Sequence, residues 1–130
     1  MPTLTRWFLR LGLLYLLAGL TVGVGMAFRV EWMPLRPVYL HLLLVGWITQ
    51  LIFGVAHWMF PRASREQPRG REARGWTILG LLNAGLLLRV LVEPFAPDAG
   101  GGWLLALSGA LQLGAALLFA IHIWPRTAAR

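Results

Sequence analysis

The run Val38–Phe60 constrains this chain more than any other segment. It carries no charge and is long enough to cross a membrane as a helix, yet it holds two histidines, His41 and His57. A helix rises about 1.5 Å per residue, and the hydrocarbon layer of a bilayer is roughly 30 Å thick. An imidazole placed in hydrocarbon is costly unless it faces the protein interior, a partner or a ligand. The fold therefore has to account for both rings.

Three further apolar runs accompany it, so the expected spans cover residues 7–28, 38–60, 76–92 and 103–124. This predicts an all-α, four-helix transmembrane bundle forming one integral membrane domain. Hydrophobic residues make up 58 % of the chain and charged residues 13 %, which leaves no room for a separate soluble domain. Arg6 and Arg10 precede the first run as they would in a signal sequence. Leu11–Phe28 is longer than the roughly 7–15 residues of a signal h-region, so it reads as a retained span.

The net charge of +7 does not indicate nucleic-acid binding, because the arginines lie in short loops beside apolar runs. Arg62, Arg65, Arg69, Arg71 and Arg74 crowd the loop 61–75, and Arg6, Arg10, Arg126 and Arg130 fall on the same side. Arg29, Arg36 and Arg89 lie on the other side with Glu31, Glu93 and Asp98. The positive-inside rule then places both termini and the Arg-rich loop in the cytoplasm of a bacterial inner-membrane protein. Trp7, Trp58, Trp76 and Trp124 mark the inner edge, and Trp32 and Trp103 the outer edge, as an aromatic belt does.

A weak internal repeat relates the two halves. Leu17-Ala18-Gly19-Leu20 resembles Asn83-Ala84-Gly85-Leu86, and His57–Arg62 resembles His122–Arg126. This predicts two tandem helical hairpins. Gly19 and Gly23 form a small-xxx-small pair that permits close helix approach.

The polar residues sort by depth into two candidate sites. At the outer edge, His41 offers an axial imidazole for a haem, Arg89 and Arg36 offer cations for its propionates, and Met26 is a second-ligand candidate. The alternative has His41 hydrogen-bonded within the bundle and Arg89 paired with Glu93. At the inner edge, His57 and His122 form an alternative metal or haem site if the stripes Gly46, Gln50, Gly54, His57 and Ser108, Gln112, Ala115, Phe119, His122 face each other. The simpler reading makes each an amphipathic anchor at headgroup level. In a uniform helix His41 and His57 lie about 24 Å apart, too far to share one metal.

The chain has no cysteine, which excludes c-type haem, iron-sulfur clusters and disulfides. No phosphate loop, nucleophile elbow or HExxH pattern occurs, so the chain is not expected to be an enzyme on its own. A small metal transporter is disfavoured because the first span holds no carboxylate.

The segment Leu35-Arg36-Pro37-Val38-Tyr39-Leu40-His41, followed by Leu42–Trp47, Gly54 and Met59-Phe60-Pro61-Arg62, resembles the second helix of the haem-copper oxidase superfamily. The likeness is to small subunit I-like membrane proteins related to the catalytic subunits of oxidases and nitric oxide reductases. It covers mainly residues 35–62, with weaker similarity at Asn83, Arg89, Glu93-Pro94 and Trp124-Pro125-Arg126. The resemblance implies that His41 ligates a b-type haem. It also implies partners among respiratory complex subunits or a homo-oligomer within the lipid bilayer. Four spans cannot house a binuclear oxygen- or NO-reducing centre, and the usual opposite ligand of the low-spin haem has no counterpart on a matching helix. The alternative is a cofactor-free scaffold or assembly protein.

Overall fold

The structure is a computed structural model that describes residues 1–61, 65–66, 71–95 and 101–127. The described residues form an all-α four-helix bundle. Helix α1 covers Thr3–Phe28. The second span is composite: a 3₁₀ turn (Val30–Leu35), helix α2 (Arg36–His41), a π-helical segment (Leu42–Thr49) and helix α3 (Gln50–Met59). Helix α4 covers Glu72–Val92, and α5 covers Gly102–Thr127. All four spans are long and apolar enough to cross a membrane, as expected of a multi-pass membrane protein. Parts of the Arg-rich loop, including Arg62 and Arg69, lie outside the described residues, as do Asp98 and Arg130.

The observed helices are longer than the apolar runs alone indicate. The second span begins at Val30, because Pro34 and Pro37 are accommodated in the 3₁₀ turn and the first turn of α2, where a missing N–H costs little. The π-helical segment corrects the geometry expected of a uniform helix. A π turn closes i→i+5 bonds in a wider coil and so rises less per residue. Thr49 follows this pattern with its side chain, donating its hydroxyl to the Leu44 carbonyl five residues back at 2.8 Å. His41 and His57 are consequently closer along the axis than in a uniform helix, with His57 near the inner end of the span and His41 more than a third of the way in from its outer end.

Helix α1 packs antiparallel along the second span through matched large and small residues. A Cβ on Gly46 would lie 2.6 Å from Tyr15 Cβ, one on Gly54 would lie 2.8 Å from Phe8 Cβ, and one on Gly19 would lie 2.8 Å from Leu43 Cδ2. Gly23 faces the Tyr39 ring in the same way. With no hydrophobic drive between helices in lipid, this close backbone approach is a main source of cohesion. The Gly19/Gly23 pair thus serves packing within the chain.

Helices α4 and α5 form the second hairpin, with Gly85 against the Ser108 carbonyl and Leu111. The hairpins meet in two apolar clusters. The inner one joins Leu4, Phe8, Phe53, Ile78, Leu79, Leu82 and Ala115. The outer one joins Tyr15, Val38, Leu42 and Leu86. Large apolar residues such as Leu13, Leu17, Leu91, Leu113 and Ile121 coat the perimeter, where a bilayer would cover them.

Candidate functional site

Three polar clusters occupy successive depths of the bundle. The outer cluster begins at His41, the last residue of α2. Its Nδ1 lies 2.8 Å from the Pro37 carbonyl oxygen one turn back and 3.3 Å from Glu93 Oε2. Glu93 Oε2 is within ion-pair distance but out of line for a hydrogen bond. Both neighbours are acceptors, which assigns the ring proton to Nδ1. Nε2 then carries the lone pair. The imidazole is 29 % exposed and sits at the bundle perimeter.

Arg89 continues the cluster. It donates through Nη1 to Glu93 Oε1 (3.2 Å), through Nε to Ser108 Oγ (3.3 Å) and through Nη2 to the Leu105 carbonyl (3.3 Å). Ser108 in turn donates to the Gly85 carbonyl at 2.7 Å and accepts from Gln112 Nε2 at 3.1 Å. A half-buried guanidinium facing the bundle is stabilised by such partners. Arg89 therefore ties α4 to α5 and is engaged within the chain.

The middle cluster was not anticipated from the sequence. Asn83 Oδ1 accepts from the Tyr15 hydroxyl and from Gln50 Nε2, each at 2.8 Å, while Asn83 Nδ2 donates to the Leu79 carbonyl. Three spans are thereby joined between the inner and outer apolar clusters. Gln50 is fully buried, and its Oε1 has no hydrogen-bond partner among the described residues.

At the inner end one pair from the two predicted stripes meets, His57 with His122, whereas Gly46 and Gly54 face Tyr15 and Phe8 of α1 and Gln50 reaches Asn83 of α4. Phe53 and Phe119 stack with centroids 3.8 Å apart and planes at 9°. One turn further in, His122 Nε2 lies 3.3 Å from His57 Nδ1, with the rings 18° from parallel. The two histidines are 3 % and 5 % exposed, so the headgroup-anchor reading does not hold: they are interior partners. Arg126, read from sequence as a topology signal, is also buried. It donates to the carbonyls of His57 (3.1 Å), Phe60 (2.7 Å) and Pro61 (2.8 Å). These are carbonyls that the end of α3 leaves without intrahelical donors, so Arg126 caps that helix from α5.

The predicted outer residues are only partly brought together. His41 and Arg89 meet through Glu93. Arg36 is exposed at the start of α2, on the outer side of His41. Met26 does not join them. Tyr39 faces α1 at Gly23, and His41, about 200° further round the helix, faces away from α1. Among the described residues no group of three or more His, Cys, Asp or Glu is placed to hold a metal ion. The inner pair therefore supplies two imidazole ligands at most.

These features define a multi-pass helical membrane protein with a polar seam through its bundle. The chain matches no family model, and comparison with curated proteins and with solved structures finds no match to either.

Proposed function

We propose that this protein binds b-type haem in the membrane through His41 and serves as an auxiliary component of a respiratory oxidase or nitric oxide reductase. One observation carries the reading. His41 Nδ1 is engaged by the Pro37 carbonyl, with the Glu93 carboxylate nearby, so Nε2 is the nitrogen left to coordinate, in the arrangement that metal-bound histidines adopt. The partial exposure of the ring at the perimeter supports access of a flat apolar ligand.

His41 is the residue of this cluster that would hold a haem. When bound, the group supplies a one-electron redox centre near the outer surface. Pro37 and Glu93 fix the tautomer and plane of His41, and Arg36 lies on the side where propionates would emerge. Any further ligand would come from a partner chain or a second copy.

The asymmetry of the arginines supports an inner-membrane location with both termini in the cytoplasm. Reporter fusions at the termini and at residues 29–36 test that topology. The haem reading is tested by the reduced-minus-oxidised spectrum of the purified protein. A featureless spectrum after haem supplementation leaves the second reading, a cofactor-free scaffold. That reading is favoured by the complete engagement of Arg89 inside the chain.

A further inference from the structure

Arg36 and His41 stand at the two flanks of one exposed face of the second span. At about 100° per residue, Pro37 and Leu40 mark the middle of that face, with Arg36 about 70° to one side and His41 about 70° to the other. Arg36, Pro37 and Leu40 are all exposed. The face continues inward through Leu44, Ile48, Ile52, Val55 and Met59, also exposed, because the wide π coil returns every fourth residue to about the same side. The opposite side of the span, through Leu42, Gly46, Gln50 and Gly54, is buried against the bundle.

Three observations set this face apart from the lipid-facing sides of the other helices. First, His41 gives Nδ1–H to the Pro37 carbonyl, and its Nε2 meets no donor among the described residues, in a ring partly exposed at the perimeter. An acceptor turned outward within an apolar span is costly beside acyl chains, which carry no donor. Second, Arg36 on the other flank supplies donors only. Third, the inner end of the face is concave: Leu51, Val55, Ala56 and Phe60 line an apolar hollow of about 580 Å³.

A donor on one flank and an acceptor on the other make the face self-complementary. A parallel two-fold pair brings each Arg36 to His41 of the other copy, as g and e positions meet across a parallel coiled coil, with Pro37, Leu40 and Leu44 at a and d. We propose that a second copy of this chain docks in parallel on this face, with Arg36 of each copy donating to His41 Nε2 of the other. Met59 of each copy, unbranched and adaptable, fills the hollow of the other. A haem iron would need the same Nε2, so this pairing and haem ligation at His41 exclude each other. The proposal does not depend on the haem reading.

The chain has no cysteine, so a single introduced thiol reports on one contact. The full chain is reconstituted in phosphatidylcholine vesicles and oxidised over a series of dilutions with lipid. Leu44→Cys, on the docking face, is expected to form a disulfide-linked dimer, and Leu117→Cys, on the exposed side of α5, only background. Arg36→Gln or His41→Ala, each added to Leu44→Cys, raises the dimer dissociation constant at least about tenfold, as loss of a hydrogen bond to a charged group does. The two together raise it no further than either alone. Equal crosslinking from Leu44→Cys and Leu117→Cys, or none from Leu44→Cys at any dilution, overturns the proposal, as does a dimer that Arg36→Gln leaves unchanged. Haem-loaded Leu44→Cys protein is expected to lose the crosslink, and its persistence in a haem-loaded sample overturns the Arg36–His41 pairing. A Leu44→Cys protein that crosslinks and takes up no haem upholds the dimer and removes the haem reading alone.

Discussion

His57 Nδ1 and His122 Nε2 lie 3.3 Å apart, on corresponding turns of the second and fourth spans. Their sequence offset matches, to within one residue, that of the stacked pair Phe53 and Phe119. Residues related by the internal repeat therefore touch each other where the two hairpins meet. Contacts along the hairpins repeat as well: Gly19 lies against Leu42 and Leu43, and its counterpart Gly85 lies against Ser108 and Leu111. The pairs that cross between the halves clasp the inner ends of the second and fourth spans.

This clasp predicts strong coupling between the histidines. His57→Ala and His122→Ala each destabilise the bundle, but the double variant loses less than the sum of the two. A coupling of about 0.5–3 kcal/mol is expected, as for neighbours in one buried network. Unfolding in detergent by a double-mutant cycle measures it; strictly additive losses would refute the clasp.

Arg126 is predicted to be a structural cap. Its guanidinium reaches three carbonyls of the second span from the fourth. Arg126→Gln leaves buried carbonyls without donors and costs at least about 2 kcal/mol. Arg126→Lys restores little, because one ammonium cannot reproduce the planar fork that reaches Pro61 and His57 together. Thermal unfolding of the two variants decides this, and a wild-type melting point for either contradicts it.

The glycines divide into two groups. Gly46 and Gly54 receive Tyr15 and Phe8, whereas Gly80 and Gly114 have open space where a Cβ would stand. Gly46→Leu or Gly54→Leu forces the first two spans apart, costing about 1–3 kcal/mol or more. Gly80→Ala and Gly114→Ala are neutral or gain about 0.5–1 kcal/mol from helix propensity. Melting temperatures of the four variants, measured side by side, test the packing register.

Asn83 accepts two hydrogen bonds through one oxygen. Asn83→Leu removes the shared acceptor of Tyr15 and Gln50, and the loss is expected at about 1–3 kcal/mol for each buried donor left unpaired. Tyr15→Phe, which removes one donor and leaves Asn83 paired with Gln50, costs only about 0.5–1.5 kcal/mol. Equal effects of the two variants would place the cluster elsewhere than at Asn83.

Much of the architecture was readable because membrane insertion depends on length and hydropathy, which the chain displays directly. Heptad spacing put His57 and His122 on stripes that could meet, and the structure brings those two rings together; the Phe53–Phe119 stack and the turning of Gly46 and Gly54 toward α1 were not legible from it. What spacing could not show was which polar groups find one another across spans. Tyr15 and Asn83 look unremarkable in isolation; their meeting with Gln50 depends on the register set by Gly12, Gly19 and Gly46. The π-helical stretch at Leu42–Thr49 has no compositional mark. Arg126 looked like one more cytoplasmic arginine, because a topology signal and a helix cap use the same side chain. Glu93 was visible as a partner for Arg89 one turn away, but its second contact, with His41, needed the packing of α4 against α2.

The most direct test of the central claim is the reduced-minus-oxidised absorption spectrum of the purified protein after haem supplementation, recorded beside that of His41→Ala. The account predicts Soret and α-band features of a b-type haem in the wild type and their loss in His41→Ala, with helical content unchanged. Haem bands of equal strength in both proteins, or none in either, would contradict it.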